Sequence, residues 1–395
     1  MTWIGDFLDA TKHIASPELF RKWGAIFSVG AALERKVWVR TNGSNLFPNL
    51  YIILCAPPAV GKTEVTWRVR DLLASVEEQH LAPTSVTKAS LVDELADCEK
   101  KIVRPQDKQN VITYNSLTLC VNELGNFLPE YDKAMMNALT DLYDCKAYGE
   151  KRRTNKLEIE IENPQINMFT ACTPSYLNSF LPEGAWDQGF TSRTIIVFTA
   201  DKQLKDPFQD EDEEGDTKRF GALKKKLQKI GNMYGQMFFQ EEVKILIKNW
   251  HFGGGVPTPD HPKLMYYNGR RLVHLLKLCM IYAAMDLRYE ITVADFQQAL
   301  DTLIEAEFFM PDIFKSMSSG GAGRNIEEAW HYLYTIYMKE NKPIAEPRLV
   351  QFLQERIPVH QINTTIEMME RGQLIKKQLE KGGYVYRPLA KAVPK

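Results

Sequence analysis

A chain of 395 residues exceeds a typical single domain, and 44% apolar content is ample for a buried core, so one large core with one or two smaller attached modules is expected. The formal charge of −1 gives no global attraction to nucleic acid or anionic lipid, which leaves any such binding to a local patch. Six scattered cysteines (Cys55, Cys98, Cys120, Cys145, Cys172, Cys279) never form CxxC and so argue against a zinc ribbon or disulfide frame; MTWIGDFLDA lacks a basic region before an apolar stretch, and a soluble, cytoplasmic protein with no membrane partner is expected.

Ser16-Pro17-Glu18 reads as a helix start, with Ser16 as N-cap and Pro17 at the first helical position. Leu19, Trp23, Phe27 and Ala31 then recur on one face. Val37-Trp38-Val39 reads as a short strand and Asn42-Gly43 as a turn. Residues 1–45 are therefore expected to form a helical collar on the core that follows.

Leu50 to Val65, LYIILCAPPAVGKTEV, has the pattern of a strand, a phosphate-binding loop and a helix. The loop Ala56, Pro57, Pro58, Ala59, Val60, Gly61, with Lys62, Thr63 and Glu64, is the expected ATP contact. Its backbone N–H groups would face an anion, the lysine would reach the β- and γ-phosphates, and the threonine hydroxyl would help hold Mg²⁺. The match to GxxxxGKT is incomplete, because Ala56 replaces the first glycine and the two prolines remove two amide donors.

After the helix through about Ser75, Ser90 to Leu95 reads as a short capped helix and residues 99–110, EKKIVRPQDKQN, as a charged surface loop. Leu117 to Val121 is an apolar strand ending in Asn122-Glu123, the Walker B arrangement of a metal partner and a water-polarising glutamate. Asn122 stands where an aspartate is usual and is a weaker magnesium partner. Residues 130–148 read as a helix. Gly149 to Asn163 then brings Lys151, Arg152, Arg153 and Lys156 ahead of alternating Leu157, Ile159 and Ile161, a β-hairpin with a basic tip. Such a tip is either a solvated turn or a DNA contact.

Ile166 to Cys172 reads as another buried strand, and Thr173 at its end is a candidate sensor of the γ-phosphate or its attacking water. In Gly189-Phe190-Thr191-Ser192-Arg193 before the strand Ile195 to Phe198, Arg193 suits bidentate charge-assisted contact, either with a neighbouring subunit's nucleotide or with a carboxylate of its own chain. Residues 201–219 carry the acidic run Asp210 to Glu214 and Asp216, read as a mobile linker. Helical patterns follow, with Arg270-Arg271 opening a helix through Met285 and offering a second sensor over the nucleotide, and another helix from Thr292 to about Phe309. Ser316 to Gly323, SMSSGGAG, reads as a linker. Beyond it, three helices and a β-hairpin in about 65 residues have a winged-helix layout. His360, Gln361, Asn363 and Thr364 at the start of the third helix and Lys376 and Lys377 on the wing are candidate DNA contacts; the alternative is a winged helix used for protein contacts.

The order SPELFRKWGAI, APPAVGKT, TKASLVDEL, LCVNELGNFL, basic hairpin, ACTP, GFTSR and GRRLVHLL resembles AAA+ ATPases of the helicase clade that contains the minichromosome-maintenance proteins, and more closely a family of primase-associated ATPases of phages, prophages and plasmids. The resemblance covers about residues 10–310. It implies a hexameric ring, Arg193 acting in trans, DNA drawn through the pore by the basic hairpin, and a primase or polymerase as possible partner in a host cytoplasm. The expected plan is thus an α/β P-loop NTPase core of the AAA+ kind (46–205) with an N-terminal helical collar (1–45), a helical lid (206–315), a linker (316–325) and a C-terminal winged-helix domain (326–395). The expected function is an ATP-dependent DNA translocase, a replicative helicase of a mobile element, with Lys62, Glu123, Thr173 and Arg193 in the chemistry and Thr63, Asn122 and Glu123 around the metal. Asn122 speaks for the alternative, an origin-binding initiator or helicase loader that unwinds little. A packaging motor would need a nuclease half, for which the C-terminal sequence offers no acidic cluster.

Overall fold

The computed structural model describes residues 2–104, 107–128, 131–152, 158–181, 185–186, 189–206, 213–319, 322–357, 359–380 and 383–389. The chain divides into two compact units, Met1–Ile313 and Phe314–Lys395, so the expected collar, core and lid form a single unit.

That unit begins with α1 (Trp3–Ala10), capped by the Thr2 hydroxyl accepting from the Gly5 amide, and α2 (Glu18–Leu33). Pro17 occupies the N-cap of α2, and Ser16 does not cap it: its Oγ is buried with no hydrogen-bond partner. Every residue of α2 from Trp23 to Leu33 is buried, so this helix runs through the interior rather than around it. β1 (Val37–Thr41) and β2 (Ser44–Leu46) pair through Asn42 and Gly43, whose φ values of 48° and 79° are those of a tight hairpin turn.

β3 (Tyr51–Cys55) leads into the Pro-rich loop and α3 (Lys62–Ala74). α4 (Lys88–Asp97) is capped by Thr87, three residues before the Ser90 at which the sequence suggests a start. Residues 99–104 are not a surface loop: they form β4 (Glu99–Arg104), antiparallel to β5 (Asp107–Val121). Lys100 explains the error, because its charge is buried on Glu34 (2.5 Å) and leaves no apolar signature in the sequence. α5 (Lys133–Tyr143) is shorter than expected, and β6 (Tyr148–Lys151) pairs with β7 (Glu158–Ile161) as the anticipated hairpin. β8 (Pro164–Cys172), α6 (Pro174–Phe180), α7 (Gly189–Arg193) and β9 (Thr194–Phe198) complete the α/β part.

The central sheet has the order β4-β5-β8-β3-β9, with β5, β8, β3 and β9 parallel and β4 antiparallel at the edge. Every residue of β3, β8 and β9 is buried, as expected for parallel strands covered on both faces. Above β4, the segment His80 to Ala82 borders the same edge of β5, with the Ala82 amide donating to the Thr118 carbonyl at 2.9 Å and the Thr118 amide to that of His80 at 3.0 Å.

α8 (Glu213–Gly231) starts inside the acidic run, so Glu213, Glu214 and Asp216 belong to a helix start rather than a linker; Asp210 to Asp212 lie outside the described residues. β10 (Gly235–Gln236) pairs with β1, and β11 (Phe238–Phe239) with β12 (Glu290–Ile291). Between them come α9 (Glu241–Phe252), α10 (Met265–Asn268) and α11 (Arg271–Met285). α12 (Val293–Ser319) continues through Pro311 well past Phe309, and α13 (Ala322–Glu340) follows, so most of SMSSGGAG is helical. Among the described residues no helix is long and apolar enough to cross a membrane.

The second unit contains α13, β13 (Ile344–Ala345), α14 (Glu346–Gln354), α15 (Val359–Arg371), β14 (Ile375–Glu380) and β15 (Gly383–Pro388), with sheet order β13-β15-β14. Leu333, Leu349, Leu353, Ile366, Met369 and Tyr386 pack its core.

Gly24 marks where α2 meets α3: a Cβ there would lie 2.9 Å from methyl carbons of both Val65 and Val69. Gly24→Leu is expected to lower stability by about 1–3 kcal/mol through overpacking, measured as a reduced denaturant midpoint at unchanged slope.

Candidate functional site

The parallel strands β3, β5 and β8 end side by side, and the residues that follow them meet at one edge. The Ala56 amide donates to the Cys172 carbonyl at 3.3 Å and ties the phosphate loop to the end of β8. Within the loop Ala59 (φ 61°) and Gly61 (φ 78°) are left-handed, a backbone that turns amides to one side. Gly61 is also required for space, since a Cβ there would lie 2.0 Å from the Ala15 carbonyl oxygen. The chain entering α2 therefore lies against this loop, which the sequence reading did not foresee. α3 opens at Lys62, and its first amides have no intrahelical acceptor.

Lys62 is 6% exposed, with Nζ donating to the carbonyls of Ala56 (2.8 Å) and Pro57 (2.9 Å). Burial lowers its pKa, and the Glu123 carboxylate, followed by the Cys172 and Cys55 thiols, opposes that shift, which sets Glu123 near the ammonium. Thr63, Glu64 and Glu123 are exposed, and Asn122 is half-buried beside them. Thr173 caps α6: its Oγ1 accepts from the Tyr176 amide (3.2 Å) and lies 3.1 Å from Ser175 Oγ. That hydroxyl thus has one lone pair committed to the helix start and a second contact with Ser175. Lys62 follows β3 and Asn122 and Glu123 follow β5 at the same end of the sheet, and a donor set of loop amides, one ammonium and one hydroxyl with an acidic side chain nearby fits a triphosphate and a hydrated Mg²⁺.

Arg193 is elsewhere. Thr194 pairs with Tyr51, four residues before Cys55, so Arg193 lies at the strand starts, about 13 Å from the loop along the strand direction. It is 9% exposed; Nη2 donates to Asp144 Oδ2 (2.6 Å) and Nη1 to the Gly189 carbonyl (3.1 Å), while Nε is buried without a partner. A Cβ at Gly189 would lie 2.8 Å from Nη1, which accounts for glycine there. Arg270 reaches the same carboxylate, with Nη1 3.3 Å from Asp144 Oδ1. Burial alone would raise the Asp144 pKa, but Arg193, Arg270 and Lys277 together hold it below the usual carboxylate range.

Three residues at helical spacing on the lid complete this second cluster. Beyond Arg270, His274 lies with Nε2 3.1 Å from the Ser192 carbonyl, and burial pushes its pKa down to about 3, so it is neutral. Lys277 is 1% exposed, donates to the Asn49 carbonyl (2.9 Å) and Oδ1 (2.8 Å), and sits 3.6 Å over the Tyr143 ring; burial pushes it down to about 7. A cavity of about 640 Å³, lined in part by Asn42, Asn49, Asp144, Lys146, Arg270 and Lys277, opens beside them. Asp144 and Lys277 carry no motif that singles them out, and His274, though inside GRRLVHLL, has no role assigned to it by the sequence.

The expected nucleotide contact of Arg270 and Arg271 needs correction. Arg271 is 2% exposed, bonded through Nε and Nη2 to Glu307 (2.7 and 2.6 Å), through Nη1 to the Gly255 carbonyl and through Nη2 to that of Pro257 (2.7 Å), so its donors are spent inside the fold. Arg270 belongs to the Asp144 cluster, away from the phosphate loop of its own chain.

In the hairpin, Lys151 pairs with Glu158 at 3.1 Å with both side chains well exposed. Arg152 is committed to Asp93 (2.8 Å), Glu150 (2.7 Å) and the Ala89 carbonyl (2.9 Å), and Lys88 also pairs with Glu150. The hairpin is thereby fastened to α4. Arg153 and Lys156 lie outside the described residues. In the second unit Gln361, Asn363 and Thr364 are exposed at the start of α15, which also contains His360, but Glu367 and Glu370 are exposed farther along it. Lys376 is exposed, and Lys377 Nζ lies 3.9 Å from the Tyr384 ring centre.

No family model and no curated protein matches the chain.

Arg271→Ala would leave Glu307 buried without its cation and is expected to cost about 3–5 kcal/mol, whereas Arg271→Met with Glu307→Leu should recover most of that loss. Chemical denaturation checks both. Wild-type stability in Arg271→Ala would contradict the structural role.

Proposed function

We propose that this chain is an ATP-driven DNA translocase with a P-loop core of the AAA+ kind, acting as a ring of identical subunits and most consistent with a replicative helicase of a mobile element. The observation that carries the reading is the buried Lys62 opening α3 behind a left-handed loop tied by the Ala56 amide to the end of β8, with Glu123 following β5 on the far side of β8, where such sheets take ligands. The exposed amides and Lys62 would hold the β- and γ-phosphates of ATP. Thr63, with Asn122 through water, would hold Mg²⁺, which when bound offsets phosphate charge. Glu123 would orient and polarise the attacking water, and Thr173, which caps α6, would donate to that water or to phosphate when Ser175 is the donor of their shared hydrogen bond.

Arg193 at the far end of the sheet is too distant for the nucleotide of its own chain, which favours action on a second copy. There it would stabilise charge spreading over the transferring phosphoryl group, a contribution worth about 10³ to 10⁵ in rate. The hairpin offers Lys151 to nucleic acid, with Arg152 anchoring it to α4 rather than free for phosphate. We read the second unit as winged-helix-like. Its exposed Glu367 and Glu370 would oppose a phosphate backbone along α15, so the wing, with Lys376 and the Lys377–Tyr384 pair, is the better DNA contact. Asn122 supports the second reading, a nucleotide-switched initiator or loader, because a neutral amide holds the metal's water shell less firmly than a carboxylate.

Lys62→Ala is expected to abolish DNA-stimulated ATP hydrolysis, measured as phosphate release; an untouched rate would end the proposal. Arg193→Ala subunits mixed into wild type should depress activity beyond simple dilution. Displacement of a strand from a forked duplex selects the helicase, and hydrolysis without displacement selects the loader.

A further inference from the structure

One carboxylate holding two guanidinium groups at the sheet end opposite the phosphate loop is more than a neutralising contact. Asp144 follows α5, Arg193 ends α7 and Arg270 precedes α11, so three separate segments converge on it. Its two oxygens are divided, Oδ2 to Arg193 and Oδ1 to Arg270, as two oxygens of a phosphoryl group would be. Asp144 is about one-third exposed at its side chain, Arg270 is equally so, and the adjoining cavity gives an approach from outside. Behind the pair Arg193 Nε has no partner, and Lys277 has no carboxylate within ion-pair distance among the described residues. The cluster thus carries more positive charge than its own acid balances.

We propose that Asp144 is a positioning residue that occupies Arg193 and Arg270 in the separate protomer, standing where the phosphate end of a neighbour's nucleotide would bind, and that assembly exchanges this carboxylate for phosphate. The proposal rests on the reading of Arg193 as acting on a second copy. No bond is made or broken in the exchange. Two charge-assisted contacts within one chain are traded for contacts to an anion of higher charge, and Asp144 turns to solvent. The clasp keeps the arginines aligned and also competes with the neighbour.

The test measures specific ATPase activity against protein concentration for wild type, Asp144→Asn and Asp144→Glu. Loss of the competing charge is expected to shift the half-maximal concentration roughly three- to ten-fold lower in Asp144→Asn, with the rate of the assembled enzyme held within about two-fold, and Asp144→Glu should restore wild-type behaviour. A merely structural residue would lower the plateau and leave the midpoint in place or raise it. An unchanged or higher midpoint overturns the proposal. Should the asparagine variant fail to fold, Asp144→Ser carries the same expectation. If Arg193→Ala subunits do not poison mixed assemblies, the trans reading fails and the clasp with it; if they do poison them and the midpoint stays put, the clasp alone is wrong.

Discussion

The strand Tyr51–Cys55 is hydrogen-bonded along both edges and buried at all five positions, which fixes the point from which the loop departs. Lys62 depends on that. A lysine ammonium at 6% exposure needs acceptors, and it finds them in the carbonyls of Ala56 and Pro57. The prolines that remove amide donors from the loop thus leave carbonyls in place, and one of those carbonyls supports the lysine. An ammonium on neutral carbonyls is held less strongly than one on an anion, so Lys62 is not neutralised by the contacts that bury it.

Buried charge recurs wherever segments distant in sequence are fixed against each other. Glu34, 1% exposed and at a strained φ of 50°, accepts from Lys100 (2.5 Å) and Tyr114 (2.8 Å), joining the end of α2 to the β4–β5 hairpin. Arg271 and Glu307 join two lid helices, and Lys277 joins the lid to Asn49 just before β3. Pairs of this kind are weak evidence for stability, because well-packed apolar residues often serve as well. Their directional hydrogen bonds set register where an apolar contact would slide. Lys277 is the extreme case, an amine held in the interior by one asparagine and the face of Tyr143, with burial pushing its pKa down to about 7.

The parts of the fold legible in sequence were those with a local cause. Continuous apolar runs mark β3 and β9, a largely apolar stretch marks β8, the Asn42-Gly43 pair marks the first hairpin, and alternation after a basic cluster marks β6 and β7. β4 reads as a loop because its buried charge, Lys100, is paired with Glu34, 66 positions away, which no local pattern reports. The all-round burial of α2 was missed for a related reason: a face is visible in periodicity, but a helix covered on every side by α1, α3, α8 and α11 is not. SMSSGGAG has a linker's composition, yet the helices on either side extend into it. At the site, Lys62, Glu123 and Thr173 follow strands and could be placed from them, whereas Asp144 and Lys277 become notable only through partners that folding supplies.

A parallel sheet has two unlike edges, and the separation between them decides what one chain can do alone. Residues that follow strands gather at one edge, where Lys62 and Glu123 meet. Residues that precede them gather at the other, where Arg193 and Arg270 share Asp144. The intervening strand length exceeds the reach of an arginine side chain, and both arginines are tied to a carboxylate that points them away from the loop. Any chemistry that needs Lys62 and Arg193 on the same phosphate would therefore take two chains, with the strand starts of one laid against the strand ends of the next. Such a head-to-tail contact is heterologous, and repeated with a fixed rotation it closes into a ring or continues as a filament. The fold thus ties the reading of Arg193 to assembly: where no second copy presents its loop, Asp144 remains the arginine's partner.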